Sequence, residues 1–461
     1  MKLLKKLAVV AFCCVIIMPL LTFNFTDEAI SEIDNRELTK NPFTLKEGDF
    51  TNNVDNYISD RIGFRNEMIL GYTLLNDKLF GEMIHPIYTY GKHKCVFGEG
   101  ITTDVRYNEY HEVFVDVVKQ IQDFCEERGI PFLFVFNPAK PAIMEEYISE
   151  GINYNREWVS ELFHALDEKE VNYLDNTQVL KNEKELGVNV FNFKYDANHW
   201  NDYGAFYGTN AMLAKMKEQI PEVHVNTLED VSFSEKNEKT LLVSKFPINE
   251  LVPVATVHSN VEDISEKYVE EIKLHESYRN FGYYVNAERI KENAPRALVF
   301  QGSYMNGYGE KYLQNAFGEY IHVHDYQNVL NFDYYYNIFK PDCVIFEVAE
   351  YTLYDGYFDF EKMKNMKLQN TFQTALKNVK SVENNKLNNI TVNRGNTLTD
   401  IKWDNPQELE QAWLFLGSNE FDMKKTETGY EVTVLTEDYD AYEREISIMG
   451  LSGDIMHKCV E

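Results

Sequence analysis

The sequence predicts an α/β protein, a parallel sheet flanked by helices, with an apolar segment ahead of it and a small all-β module behind. Three observations carry this expectation. Apolar runs at 132–136, 297–300 and 343–346, the last within a strand expected to reach 348, have the aromatic or β-branched content of buried strands. Between such runs apolar residues recur at helical spacing, as in Phe114, Val117, Val118, Ile121 and Phe124, and strand, crossover helix, strand implies parallel pairing. From about residue 384 the helical period gives way to short strand-like runs separated by Asn, Gly, Asp and Lys.

Composition bounds the function. With 461 residues, 44% apolar and 14% aromatic, the chain can form two or three domains around a large core. The formal charge of −29 argues against nucleic acid, whose phosphates are held mainly by Lys and Arg. A neutral glycan remains compatible. Cys13 and Cys14 lie in the apolar leader, and Cys95, Cys125, Cys343 and Cys459 are scattered, so neither a disulfide framework nor a zinc site is expected.

Taken in order, Lys2, Lys5 and Lys6 precede an apolar run over residues 7–23, about 17 residues, which just reaches the lower limit for crossing a bilayer. Residues 1–25 therefore read as an uncleaved signal anchor, with a cleaved signal peptide as the alternative; either way the bulk of the chain is exported. Residues 26–90 read as a loop and helix forming a stalk. Residues 91–370 carry the α/β pattern. A helix over 111–128 stops at Gly129 and leads to the strand at 132–136, which ends at Asn137-Pro138. A helix bearing Trp158, Val159, Leu162, Phe163 and Leu166 leads to a brief strand at 171–174, and another helix is expected over 205–220. Residues 221–295 are less regular and read as an insertion, part strand. The α/β pattern then resumes with a strand at 297–300, a short helix bearing Tyr312, Leu313 and Phe317, a strand at 320–323, a Tyr-rich helix to Phe339 and a strand at 343–348. Residues 380–461 form the β module, which either binds glycan or packs on its neighbour.

Two stretches carry candidate chemistry. Asp196 stands three residues before His199 and can orient its imidazole as a general base. Ser303 follows the strand at 297–300 in a Gly302-Ser303 turn, at the carboxyl end of a parallel strand, where free N–H groups of the next helix collect. The Ser303 amide and the Asn306 side chain are candidate oxyanion donors. Trp200, Tyr304 and Tyr308 are candidates for a sugar-stacking platform. The plainer accounts are a helix cap with a packed histidine for Asp196 and His199, and an ordinary turn serine for Ser303. His322 and His324 alternate on a strand beside Asp325, but two ligands without a third do not make a metal site. Glu347 and Glu350 end a buried strand, where they orient site groups or cap and pair.

The residues Asp196, His199, Trp200, Asn201 and Gly204, with Gly302-Ser303-Tyr304 after a strand, resemble the AlgX/AlgJ-type and DHHW-type members of the SGNH hydrolase superfamily. Asn35-Arg36, Asp60-Arg61 with Phe64-Arg65, and Pro138-Ala139-Lys140 match stretches that those proteins carry earlier, so the resemblance spans roughly residues 33–355. It implies an SGNH-like fold and a Ser303–His199–Asp196 triad that forms an acetyl-enzyme, without a cofactor or metal. It also implies an exported O-acetyltransferase at the extracytoplasmic face of the cell membrane. Such an enzyme would decorate a secreted or surface polysaccharide with acetyl supplied by a membrane-bound O-acyltransferase. Two residues separate Asp196 from His199, where AlgX-like members have one. A carbohydrate esterase and a non-catalytic glycan-binding assembly protein are the alternatives.

Overall fold

The structure is a computed structural model that describes residues 2–26, 30–31, 33, 36–44, 49–353, 357–404 and 409–460. Asn35, part of the N-terminal match, lies outside the described residues.

A seven-stranded sheet organises the larger part of the chain, ahead of the C-terminal module. Its strands are β1 (Phe132–Asn137), β2 (Tyr173–Asp175), β3 (Glu262–Asp263), β4 (Phe281–Val285), β5 (Arg296–Gln301), β6 (Glu319–His324) and β7 (Cys343–Ala349), in the order β2-β1-β7-β5-β6-β4-β3. The five strands from β2 to β6 in that order are parallel. The sheet is nevertheless mixed, which corrects the expectation of a purely parallel one: β4 runs antiparallel to β6, and β3 antiparallel to β4. Both antiparallel strands, the edge strand β3 and β4 beside it, come from the stretch that reads as an insertion. The edge strand β3, two exposed acidic residues, has no apolar run because an edge strand is covered less completely than a central one. Gly282 in β4 faces His322 in β6, and a Cβ there would stand 2.3 Å from the imidazole Nε2, so close strand approach requires glycine.

Alternation along the central strands feeds two cores. Phe132, Phe134 and Phe136 of β1, Leu298 and Phe300 of β5, and Val344, Phe346 and Val348 of β7 enter one. Leu133 and Val135, Ala297 and Val299, and Cys343 and Ile345 enter the other. Period-two side-chain direction in strands buried on both faces produces the continuous apolar runs seen in the sequence.

Nine helices are used below: α1 (Lys2–Leu21), α2 (Phe50–Arg61), α3 (Arg65–Phe80), α4 (Glu109–Glu127), α5 (Glu157–Glu168), α6 (Asn176–Glu185), α7 (Asp202–Lys217), α8 (Glu310–Ala316) and α9 (Phe332–Phe339). Helices α4 and α5 pack on the first core, and α7 and α8 on the second. The chain over 26–90, expected as a loop and one helix, holds two helices joined at Gly63-Phe64.

The leader is helical, yet among the described residues no helix is long and apolar enough to cross a membrane. The bilayer-spanning anchor expected of residues 1–25 therefore lacks structural support. Lys5 and Lys6 take up the early turns of α1, and the helix ends at Leu21 rather than continuing to Phe23. The uncharged helical run is thus about 15 residues, roughly 22 Å against a ~30 Å hydrocarbon core.

The stretch between α7 and β3 forms a long hairpin, Val231–Thr240 paired with Pro247–Val257, which packs Phe233 against Tyr203 and Phe206 of α7. The C-terminal module is an eight-stranded sheet. Its strands Ile390–Arg394, Gln411–Leu416, Gly429–Leu435 and Ile446–Ser452 contain the four runs read from the sequence. It docks at the amino ends of the parallel strands: Arg128, just before β1, pairs with Asp422, and Asn337 and Lys340, just before β7, donate to Asp422 O and Glu420 O.

Candidate active site

The Asp196 loop runs from an isolated bridge at Phe191–Trp200 into α7, whose N-cap Asn201 accepts from the Tyr203 and Gly204 amides. Asp196 and His199 therefore sit in a turn before the helix, not in its first turn. Asp196 Oδ1 accepts from the Asn198 and His199 amides, both at 3.0 Å, and this Asx-type turn brings the ring back over the carboxylate. His199 Nδ1 lies 3.0 Å from Asp196 Oδ2. The spacing of two intervening residues is what lets one carboxylate serve both the backbone and the imidazole.

Across the carboxyl edge of the sheet, Ser303 begins the helical segment that follows β5. A π-turn at Met305–Gly309 separates it from α8. Its Oγ stands 2.8 Å from His199 Nε2. Burial disfavours the Asp196 charge, but the His199 ring and the two amides outweigh it and draw the carboxyl down to about 2. Burial also opposes a charged His199, and the Asp196 carboxylate beside it prevails, raising its pKa. An ionised Asp196 is acceptor-only, so Nδ1 carries the proton and Nε2 presents a lone pair to the Ser303 hydroxyl.

Comparison with known proteins bears on this constellation. Residues 104–272 match the family described as SGNH hydrolase-like domain, acetyltransferase AlgX. Over that stretch the chain is similar to the SGNH hydrolase-like acetyltransferase domain of the AlgX type. The matched stretch holds Asp196 and His199 and stops before Ser303, which the fold brings to them from outside it. No curated protein matches the chain. Among solved structures, Bacillus cereus PatB1 with a sulfonyl adduct is 16% identical and superposes at a TM-score of 0.44 over 59% of this chain and 97% of its own. The O-acetyltransferase domain of Pseudomonas putida AlgJ is 14% identical at a TM-score of 0.43, over 61% and 100%. Pseudomonas aeruginosa AlgX is 13% identical at 0.39, over 80% and 91%.

In this site, two aromatic residues that the sequence offers as a sugar platform are interior. Trp200 and Tyr304 are fully buried. The Trp200 ring packs where Gly208 of α7 leaves room, a Cβ there falling 2.3 Å from the indole, and its Nε1 donates to Tyr304 O. Tyr304 OH donates to Pro138 O and Asn198 O, tying the nucleophile segment to the β1 turn and the histidine loop. With both rings packed inside, neither offers a face to a sugar. Tyr308, carried back by the π-turn, donates to Asp196 Oδ2 at 3.1 Å. Asn306 Oδ1 accepts from Gln301 Nε2, which leaves its Nδ2 as the donor facing outward from that pair. His322 packs beside the Tyr284 and Tyr320 rings, and burial draws its pKa down to about 3.

Sequence reasoning missed Tyr351. Its hydroxyl stands 2.8 Å from Ser303 Oγ and 3.2 Å from His199 Nε2. Burial pushes the phenol well above its ordinary pKa, so it stays a neutral donor. The available signal was its place two residues beyond β7, at the same sheet edge as Ser303. The two glutamates near it divide the roles foreseen for them. Glu347 accepts from the Gly302 amide and from Asn137 Nδ2, fixing the nucleophile turn; burial, with the Asp325 charge added, pushes its carboxyl up to about 8. Glu350 pairs with Arg156 and accepts from Tyr154 OH and the Ala139 amide.

Two charged residues brace the acid loop. Lys140, fully buried, donates to Val96 O, Phe193 O and Asp196 O. Glu250 of the hairpin accepts the amides of Phe193, Lys194 and Tyr195 at 2.6–2.8 Å. A cleft of about 220 Å³ reaches the site at Asn198 and Tyr351 and is also lined by Tyr154, Trp158 and Tyr357.

Proposed function

We propose that this O-acetyltransferase is exported, held at the extracytoplasmic face of the membrane by its N-terminal helix, and acetylates a surface or secreted polysaccharide through an acetyl-enzyme on Ser303. Acetyl is supplied by a membrane-bound O-acyltransferase. The observation that carries the reading is the unbroken chain of hydrogen bonds from Asp196 through His199 to Ser303.

In the first half-reaction, His199 Nε2 takes the Ser303 proton as Oγ attacks the acetyl carbonyl carbon. Asp196 stabilises the imidazolium, and the Ser303 amide and Asn306 Nδ2 bind the oxyanion. Collapse breaks the bond to the donor's leaving group, which takes the proton from His199. In the second half, a sugar hydroxyl in the Tyr154, Tyr351 and Tyr357 cleft gives its proton to His199 and attacks the acetyl-serine. Ser303 then leaves and recovers the proton.

The test uses an activated acetyl ester with an oligosaccharide acceptor. The wild-type chain gains the mass of one acetyl group and passes it to the sugar, and Ser303→Ala does neither. Transfer retained in Ser303→Ala overturns the proposal. Acetate release from an acetylated glycan that outruns acetylation of the acceptor would reassign the enzyme to the esterases.

A further inference from the structure

Helix α3 wears its polarity inside out. Phe64 just ahead of it and Met68, Tyr72, Leu75 and Leu79 within it are 45–62% exposed. At ~100° per residue the four within the helix fall within roughly 60° of arc, one continuous apolar stripe. Away from the stripe the helix buries Thr73, whose hydroxyl lies within hydrogen-bond distance of Ile69 O and Ile84 O, and Asn76, whose amide donates to Tyr72 O. A helix that turns its threonine and asparagine to the protein and its large apolar residues outward is matched to an apolar environment.

The neighbouring leader identifies that environment. Leu7, Val9, Val10, Phe12, Val15 and Ile16 of α1 are all more than half exposed, and these positions point all round the helix. A folded partner covers one face of a helix; hydrocarbon surrounds all of them. The leader is fixed to the start of the α3 stripe. The Gly63 amide donates to Pro19 O and the Asn24 amide to Arg61 O, both at 2.9 Å. A Cβ at Gly63 would meet Thr22 Oγ1 at 1.8 Å, so only glycine allows this approach. The stripe begins one residue later, at Phe64.

We propose that the exposed face of α3 lies on a lipid bilayer surface, a second membrane contact beside the leader. This rests on the reading of α1 as a membrane element. An uncharged leader run of roughly 22 Å falls short of a ~30 Å core, and the stripe adds apolar contact where the leader emerges. Glu67 and Lys78, exposed beside the stripe, fall at headgroup level. The net charge of −29 favours zwitterionic over anionic lipid.

The experiment uses the full chain with Cys13→Ala and Cys14→Ala, phosphatidylcholine vesicles, and an environment-sensitive fluorophore on Leu75→Cys or, as control, on Glu185→Cys. Vesicles shift the emission at position 75 to the blue and leave position 185 unchanged. Leu75→Glu with Leu79→Glu weakens vesicle partitioning at least tenfold without altering activity on a soluble acetyl ester. A chain that floats with vesicles while position 75 stays unshifted, or a double variant that partitions as wild type, overturns the α3 contact and leaves the leader reading standing. A chain that does not float overturns both. A blue shift that appears without vesicles and grows with protein concentration makes the occupant a second copy and also overturns the proposal.

Discussion

A serine hydroxyl is a weak nucleophile at its free pKa, and in the proposed mechanism the groups around Ser303 supply what it lacks. Tyr351 gives a neutral donor at 2.8 Å from Oγ. Its removal in Tyr351→Phe should cost about 1.5–3 kcal/mol of transition-state stabilisation, roughly tenfold to a hundredfold in kcat, with the melting temperature little changed. Steady-state kinetics beside a thermal melt checks this; a wild-type kcat would leave the hydroxyl a bystander. Asp196→Asn tests the acid. His199 must be neutral to accept the serine proton, so kcat/KM rises with pH as the ring loses its proton. Asp196 raises that pKa. Its loss should move the acidic limb of the pH profile to lower pH and slow the reaction by about 10³–10⁴ through the wrong tautomer. An unmoved limb would show that Asp196 does not set the ring's charge. Asp196, His199 and Ser303 were legible because their types and spacing advertise the chemistry. Tyr351 was not, since one tyrosine among 30 declares no role until the sheet edge gathers it with the others.

At the scale of elements, the site is a loop held between a strand end and a hairpin. The acid loop has no regular hydrogen bonding of its own over residues 192–199, so its shape is imposed by Lys140 from below and by Glu250 from the hairpin. Asp202, at the start of α7, fastens the other side by accepting the Ala255 amide. Removing the carboxylate in Glu250→Ala leaves three amides without their acceptor and should lower stability by about 1.5–3 kcal/mol, with a fall in kcat that exceeds any change in KM. Glu250→Gln, which keeps a carbonyl oxygen, should recover part of both. Denaturant melts and kinetics on the two variants decide it: equal losses from Ala and Gln would refute the bracing role. The sequence marked 221–295 as irregular and could not show that its hairpin shapes the catalytic loop, because backbone-directed acceptors leave no periodic pattern.

At the scale of the molecule, catalysis and the C-terminal module occupy opposite ends of one sheet. The site lies at the carboxyl ends of β5 and β7, and the module is bolted to the amino ends through Arg128 and Asp422, both nearly buried and 2.9 Å apart. The module therefore does not line the cleft beside Ser303. Arg128→Ala strands the Asp422 carboxylate and removes the guanidinium from the Phe124 ring. It should cost about 3–5 kcal/mol and separate module unfolding from that of the α/β domain in calorimetry, with kcat on a soluble ester preserved below the first transition. A single unshifted transition would show that the pair does not couple the two parts.

The sequence by itself determined the central strands and their crossover helices, because strands buried on both faces must be continuously apolar and amphipathic helices must repeat every 3.6 residues. It also singled out Asp196, His199 and Ser303 as candidates, and the fold places His199 within hydrogen-bond distance of the other two. Tertiary structure alone decided three things. It turned two irregular segments into antiparallel strands at one side of the sheet, since pairing there is set by the neighbour's free edge. It sent Trp200 and Tyr304 inward, since α7 offers glycines where the indole packs. It also brought Tyr351 to within hydrogen-bond distance of Ser303, since proximity across a sheet edge depends on strand order, which no local pattern records.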